Sequence, residues 1–136
     1  MNCEIAHEGE MLLIRLAGVF QDDDLLELLR LIVEKESRAP KIPHRLTDIS
    51  KVSDMRLTFS GMNERLHLRR IMEFPNRFKS AIVAPDPVQF GFARMFQTLN
   101  NHPQIDVKVF RDLESACVWI ASGEDELAQA FSDIDL

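Results

Sequence analysis

Residues 80–84 read Ser-Ala-Ile-Val-Ala, a short apolar run without polar alternation, and two residues later the chain reaches Asp86-Pro87-Val88-Gln89. A strand that does not alternate is one covered on both faces. Asp at a helix N-cap, Pro at the first helical position and Gln three residues after the cap together open a helix, which continues to Asn100. A buried strand running straight into a capped helix is a βα unit with a central strand. Parallel neighbours for that strand require crossover connections, so the rest of the chain has to supply further helices between further strands, and the fold class is α/β.

The other segments supply them. Cys3, Ile5 and His7 alternate before the turn Glu8-Gly9-Glu10, and Leu12, Ile14 and Leu16 share one face after it, which is a hairpin pattern. Gly18 closes the second strand, and Asp22-Asp23-Asp24 opens a helix where negative charge suits the amide dipoles. Leu25, Leu28, Leu29 and Ile32 form its buried stripe, and it ends before Pro40. Pro43 precedes a third strand, His44–Ile49. After an irregular stretch, Gly61–Glu73 reads as a second helix with Met62, Leu66 and Met72 inward and Arg65, Arg69 and Arg70 outward, stopped by Pro75. Ile105–Phe110 alternates as a fifth strand, and Asp112 caps a fourth helix carrying Leu113, Ala116, Cys117 and Ile120 inward, ended by Gly123. The order ββαβαβαβα predicts a five-stranded mixed sheet with four or five helices. The 136 residues are expected to form one domain over 1–123, followed by an acidic tail or short fifth helix over 124–136.

Motifs for catalysis are missing: the sequence has no glycine-rich phosphate loop, no G-x-S-x-G and no H-E-x-x-H. His7, His44, His67 and His102 are isolated, and Cys3 and Cys117 lie far apart, so neither a zinc set nor a redox pair is spelled out. Asp48 and Asp54 could pair for acid–base work, yet an Asp at a strand end more often accepts hydrogen bonds from the following loop. The chain is expected to be non-enzymatic, with no metal and no cofactor. Net charge is −6, which argues against nucleic acid as a partner. Between Arg38 and Lys79, however, ten basic residues face four acids. If Arg65, Arg69 and Arg70 share an exposed helix face, they form a membrane-facing basic stripe that anionic lipid would attract. The first ten residues lack a secretion signal, and no run reaches the ~18 apolar residues of a membrane span; the expected location is cytoplasmic, at most peripheral to the inner membrane.

Phe90-Gly91-Phe92-Ala93-Arg94-Met95-Phe96 carries more apolar bulk than one helix stripe uses, because Phe90 and Phe92 point about 200° apart. The surplus has three outlets: core packing, the lining of a hydrophobic site, or a homodimer face. Gly91 suits a close approach to a neighbouring element.

Leu16-Ala17-Gly18, Thr47-Asp48-Ile49-Ser50, Ala81-Ile82-Val83-Ala84, Phe92-Ala93-Arg94-Met95-Phe96, Val109-Phe110-Arg111-Asp112 and Trp119-Ile120 together resemble the SpoIIAA-like proteins. These are small bacterial relatives of the STAS domains (sulphate transporter and anti-sigma-factor antagonist), with a shape also likened to CRAL-TRIO lipid-transfer domains. The likeness spans residues 10–121. It implies a STAS-like α/β fold, no established catalysis, and binding of hydrophobic ligands or association with membranes. It also implies an alternative, a signalling partner switched by serine phosphorylation. Here Asp48-Ile49-Ser50 matches the first half of the antagonist pattern, whereas Thr58-Phe59-Ser60-Gly61 lacks the Asp of the second half. Ser60 is the phosphoacceptor candidate, with a simple N-cap hydroxyl as its structural counterpart.

The candidate partners are therefore a lipid or other apolar small molecule, a weak anionic membrane surface, a signalling protein and a second copy of the chain. The apolar ligand is expected at the carboxyl edge of the sheet, between the second and third helices. Phe59, Met62 and Leu66 would line one side, Phe90 and Phe92 the other, and Arg111 would meet an acidic head group.

Overall fold

The opening hairpin sets one edge of the sheet. Strands β1 (Asn2–Glu8) and β2 (Met11–Gln21) pair antiparallel from Glu8↔Met11 outward. Gly9 has φ +59° while Glu10 stays in the ordinary region, the combination of a type II′ connection, whose twist matches that of the strands. The computed structural model describes residues 1–122 of the chain; the expectations for Gly123 and for residues 124–136 lie outside them.

After the hairpin the order is α1 (Asp22–Ser37), β3 (His44–Arg56), α2 (Phe59–Ile71), β4 (Phe78–Val83), α3 (Pro87–Leu99), β5 (Ile105–Phe110) and α4 (Leu113–Ala121). The strands lie in the sheet in chain order, β1 to β5, with β1 antiparallel and the rest parallel. Repeated crossovers in one direction, all of one hand, place α1, α2 and α3 on the same face. The core divides accordingly. Leu12, Ile14, Leu16, Ile49, Phe78, Ile82 and Val107 pack under α1–α3, while Leu46, Ala81 and Val83 pack with Ala116 of α4 on the other face. Every residue of β4 is buried, as the unalternating run over 80–84 requires, and the strand is flanked by β3 and β5. The third helix begins as its cap residues dictate: Asp86 accepts from the amides of Val88 and Gln89, and Gln89 Oε1 accepts from the Asp86 amide.

Several local expectations are corrected. Gly18 does not end β2. It sits at φ +80° where the β2–β3 register shifts, so it bends a strand that continues to Gln21. That extension gives residues 54–56 a partner, with Val19↔Asp54, Phe20↔Met55 and Gln21↔Arg56 paired. The polar stretch after Ile49 is therefore strand. α2 begins and ends two residues earlier than its apolar pattern suggests, because Thr58, whose Oγ1 accepts from the Gly61 amide, is the cap. Cys117 is exposed, since α4 meets the sheet through Ala116, Trp119 and Ile120. A Cβ on Gly91 would meet nothing within 4 Å, so that glycine serves no close approach.

Candidate functional site

A cavity of about 70 Å³ lies between the sheet and the α1–α3 layer. Its floor is Leu16 and Phe20 of β2, Arg45, Thr47, Ile49 and Met55 of β3, and Ser80 and Ile82 of β4. Its roof is the α1 stripe Leu25, Leu28, Leu29 and Ile32 with Met62 of α2 and Phe92, Ala93 and Phe96 of α3, and Leu57 completes the wall. The lining is apolar except at Arg45, Thr47 and Ser80, the composition of small-molecule sites, where a few polar groups orient an otherwise hydrophobic ligand. Inward positions of β3 alternate, so Arg45, Thr47 and Ile49 stand in one file from the amino end of the strand, with Met55 near its carboxyl end.

Arg45 belongs to a buried ion triad. Its Nη2 donates to Glu36 Oε2 at 2.7 Å, and Arg69 donates from Nη1 and Nη2 to Oε1 and Oε2 of the same carboxylate, both at 2.7 Å. Arg45 and Arg69 are each 3% exposed and Glu36 is 5% exposed. The guanidinium of Arg69 lies 4.7 Å from the ring centre of Phe74, and that of Arg45 lies 5.5 Å from Phe78, contacts that favour a cation removed from water. Burial, with the like charge of Arg69 beside it, pushes the Arg45 guanidinium down to about 10, which leaves it charged at neutral pH. Two guanidinium groups against one carboxylate leave a positive charge unbalanced, and the Nε atoms of both arginines are buried without a hydrogen-bond partner.

The local sequence explains why these charges are inside. Glu36 continues the stripe Leu25, Leu28, Leu29, Ile32 by one more turn, and Arg69 follows Met62 and Leu66 at i+7 and i+3. A charged residue in phase with an apolar stripe is the signal that the periodicity contained. Arg69 therefore does not join an outward basic stripe. Arg65 donates to Asp23 Oδ1 at 2.9 Å and Arg70 to the carbonyl oxygen of Leu99 at 3.0 Å. The expected membrane-facing array of Arg65, Arg69 and Arg70 is replaced by one buried ion pair and two tethers to neighbouring elements.

The remaining expected site residues divide. Met62 and Phe92 line the cavity. Leu66 is fully buried in the core and Phe90 packs partly buried against it. Phe59 is 61% exposed on α2, because that helix turns Met62 and Leu66 inward instead. Arg111 is exposed and lies over the Phe90 ring at 4.4 Å, covering surplus aromatic surface outside the cavity. The Arg at the cavity wall is Arg45, hidden in a strand that read as ordinary.

The start of α2 holds Asp22. Its carboxylate accepts from the Thr58 amide at 3.0 Å and the Thr58 hydroxyl at 2.8 Å, and the Thr58 amide bond, with help from the hydroxyl and from nearby Arg65, holds its pKa below the usual carboxylate range. A Cβ on Gly61 would stand 2.1 Å from Asp22 Oδ2, so the close approach that requires a glycine occurs here. Ser60 is exposed beside this contact, and Thr58, not Ser60, provides the N-cap hydroxyl. Asp48 accepts from the Ser50 amide and Asp54 pairs with Arg56, so the two aspartates have separate partners. Among the described residues no group of three or more His, Cys, Asp or Glu side chains could hold a metal ion, and no helix is long and apolar enough to cross a membrane.

No protein-family model matches the chain, and no curated protein matches it. Among solved structures it is similar to an uncharacterised protein of the DUF3478 family from Shewanella loihica PV-4, described as having a SpoIIAA-like fold. The two share 18% identity over 88% of this chain and 93% of that one, with a TM-score of 0.56. The fold is SpoIIAA-like, in agreement with the resemblance carried by the sequence.

Proposed function

We propose that this chain is a non-catalytic binding protein of regulatory type whose site is the cavity beneath α1–α3, occupied by a small, largely apolar ligand. The observation that carries the reading is the cavity itself: about 70 Å³ of space between the sheet and α1–α3, walled by apolar side chains with Arg45, Thr47 and Ser80 as its polar members. Protein interiors hold few voids larger than a water molecule, and apolar ones stay dry and open to small apolar ligands. A SpoIIAA-like fold suits such a role, because ligand occupancy under α1–α3 would bear on the outer surfaces of those helices, where a protein partner could sense it. The phosphorylation alternative is less well supported. Ser60 precedes Gly61, where the Asp22 carboxylate already packs and takes the Thr58 amide and hydroxyl, so the start of α2 carries a negative charge before any phosphate is added.

Titration of the protein with hexan-1-ol, followed by amide chemical shifts, tests this reading. Shifts concentrated at Leu29, Ile82 and Ala93 are expected, and they should vanish in Ala93→Met, which fills the space. Spectra unchanged up to the solubility of the alcohol would refute it.

A further inference from the structure

We propose that the ligand of this cavity is a monoacid with an unbranched apolar tail, its carboxylate seated against Arg45 and its chain lying along β3 toward Met55. The inference rests on the cavity being a ligand site and adds the chemistry of what enters it.

Charge is the first argument. The triad of Glu36, Arg45 and Arg69 has one positive charge more than it can neutralise internally, and among the described residues Glu36 is the only ion-pair partner of either arginine. Uncompensated charge is costly in a buried setting. A single carboxylate would bring the cluster to neutrality.

Hydrogen bonding is the second. Glu36 uses Nη2 of Arg45, while Nε of Arg45 has no partner although it is fully enclosed and the side chain forms part of the cavity wall. Engaging an anion through this donor therefore requires the Arg45 side chain to turn toward the cavity, and it does not require releasing Glu36. Charge-assisted bonds of this kind are the strong ones. Thr47 and Ser80, the other polar residues of the wall, are close to Arg45 through the sheet, since Ser80 pairs with Arg45 in register.

Shape is the third. From Arg45 the wall is polar only as far as Thr47 and Ser80; beyond them it is apolar up to Met55 and Leu57. A multiply charged anion such as phosphate would have to shed its water against Leu and Phe side chains, which one arginine cannot offset. A linear tail matches the rest. The space is about 70 Å³, about half of the ~150 Å³ that admits a benzene ring in an engineered apolar cavity, so it takes the first few methylene groups and the rest of a chain would emerge past the half-buried Met55 and Leu57.

The test compares hexanoate with hexan-1-ol, which share the tail and differ in the head, by isothermal titration and by amide shifts. Hexanoate should bind the wild-type protein at least tenfold more tightly. In Arg45→Met the carboxylate of Glu36 keeps both bonds from Arg69, so the core remains satisfied; there hexanoate should lose its advantage while hexan-1-ol binds as before. Arg45→Lys should retain part of the preference. Equal affinities of the two probes in the wild type would overturn the inference and leave the cavity reading standing, whereas binding of neither would overturn both. If Arg45→Met fails to fold by circular dichroism, the wild-type ratio alone decides.

Discussion

Replacing Glu36 by Gln should destabilise the protein more than most single changes of equal volume. The carboxylate accepts three bonds of 2.7 Å from two buried guanidinium groups. The amide of Gln has one acceptor oxygen and an NH2 group, so at least one of these contacts becomes donor against donor while two cations stay buried. Removing one partner from a buried ion cluster costs about 3–5 kcal/mol, a large share of the roughly 5–15 kcal/mol that holds a domain of this kind together. For a chain of this size that corresponds to a fall in Tm of about 10–20 °C. Urea unfolding followed by the fluorescence of Trp119, the only tryptophan, and by circular dichroism would measure it. The midpoint should fall with the slope unchanged, and the loss should persist at high salt because buried pairs are poorly screened. Exchanging the whole triad for apolar residues, Glu36→Leu with Arg45→Met and Arg69→Met, should recover much of the loss, since well-packed hydrophobic substitutes for buried ion clusters are often neutral or better. A loss below about 1 kcal/mol for Glu36→Gln, against the 3–5 expected, would mean that water or another group already compensates these charges.

Other expectations are simpler. Gly61→Ala should cost about 0.5–2 kcal/mol, since its Cβ displaces Asp22 from Thr58 and undoes the tie at the start of α2, whereas Gly91→Ala, whose Cβ meets open space on the exposed face of α3, should stabilise by about 0.5–1 kcal/mol; chemical denaturation distinguishes the two signs. The carboxyl of Asp22 is held below its ordinary range, so the stability it contributes is complete above about pH 4, the unfolded value, and disappears as pH falls through the lower folded value. Asp22→Asn should therefore flatten the acid limb of a stability-versus-pH curve. Leu66→Ala, at a position with no exposure, should cost about 2–5 kcal/mol in the same urea assay.

Much of the fold was legible because its signals are local. Periodicity marked the buried stripe of α1, the unalternating run 80–84 marked a doubly covered strand, and the Asp86–Gln89 cap marked the start of α3; each depends on residues within a turn or two of one another. The errors came where a distant partner decides. Residues 50–56 carry few apolar side chains, and they are strand because β2 extends alongside them past its bulge. The roles of Gly18 and Gly91 are hidden in the sequence for the same reason, since a glycine's purpose depends on what lies across from it.

The candidate site shows the division most clearly. The sequence alone determined an α/β chain with a SpoIIAA-like likeness, and it raised the expectation of an apolar site at the carboxyl edge of the sheet with an arginine beside it. Only the tertiary structure decided which arginine stands at a cavity wall. Glu36, Arg45 and Arg69 lie on three different elements, and nothing in the sequence near any one of them announces the other two. Arg111 is exposed against Phe90, where water screens its charge, whereas Arg45 is enclosed at the cavity wall. The same side chain is a weakly interacting surface group in one setting and a member of a buried ion triad in the other, and burial, a property of the packed layers, makes the difference.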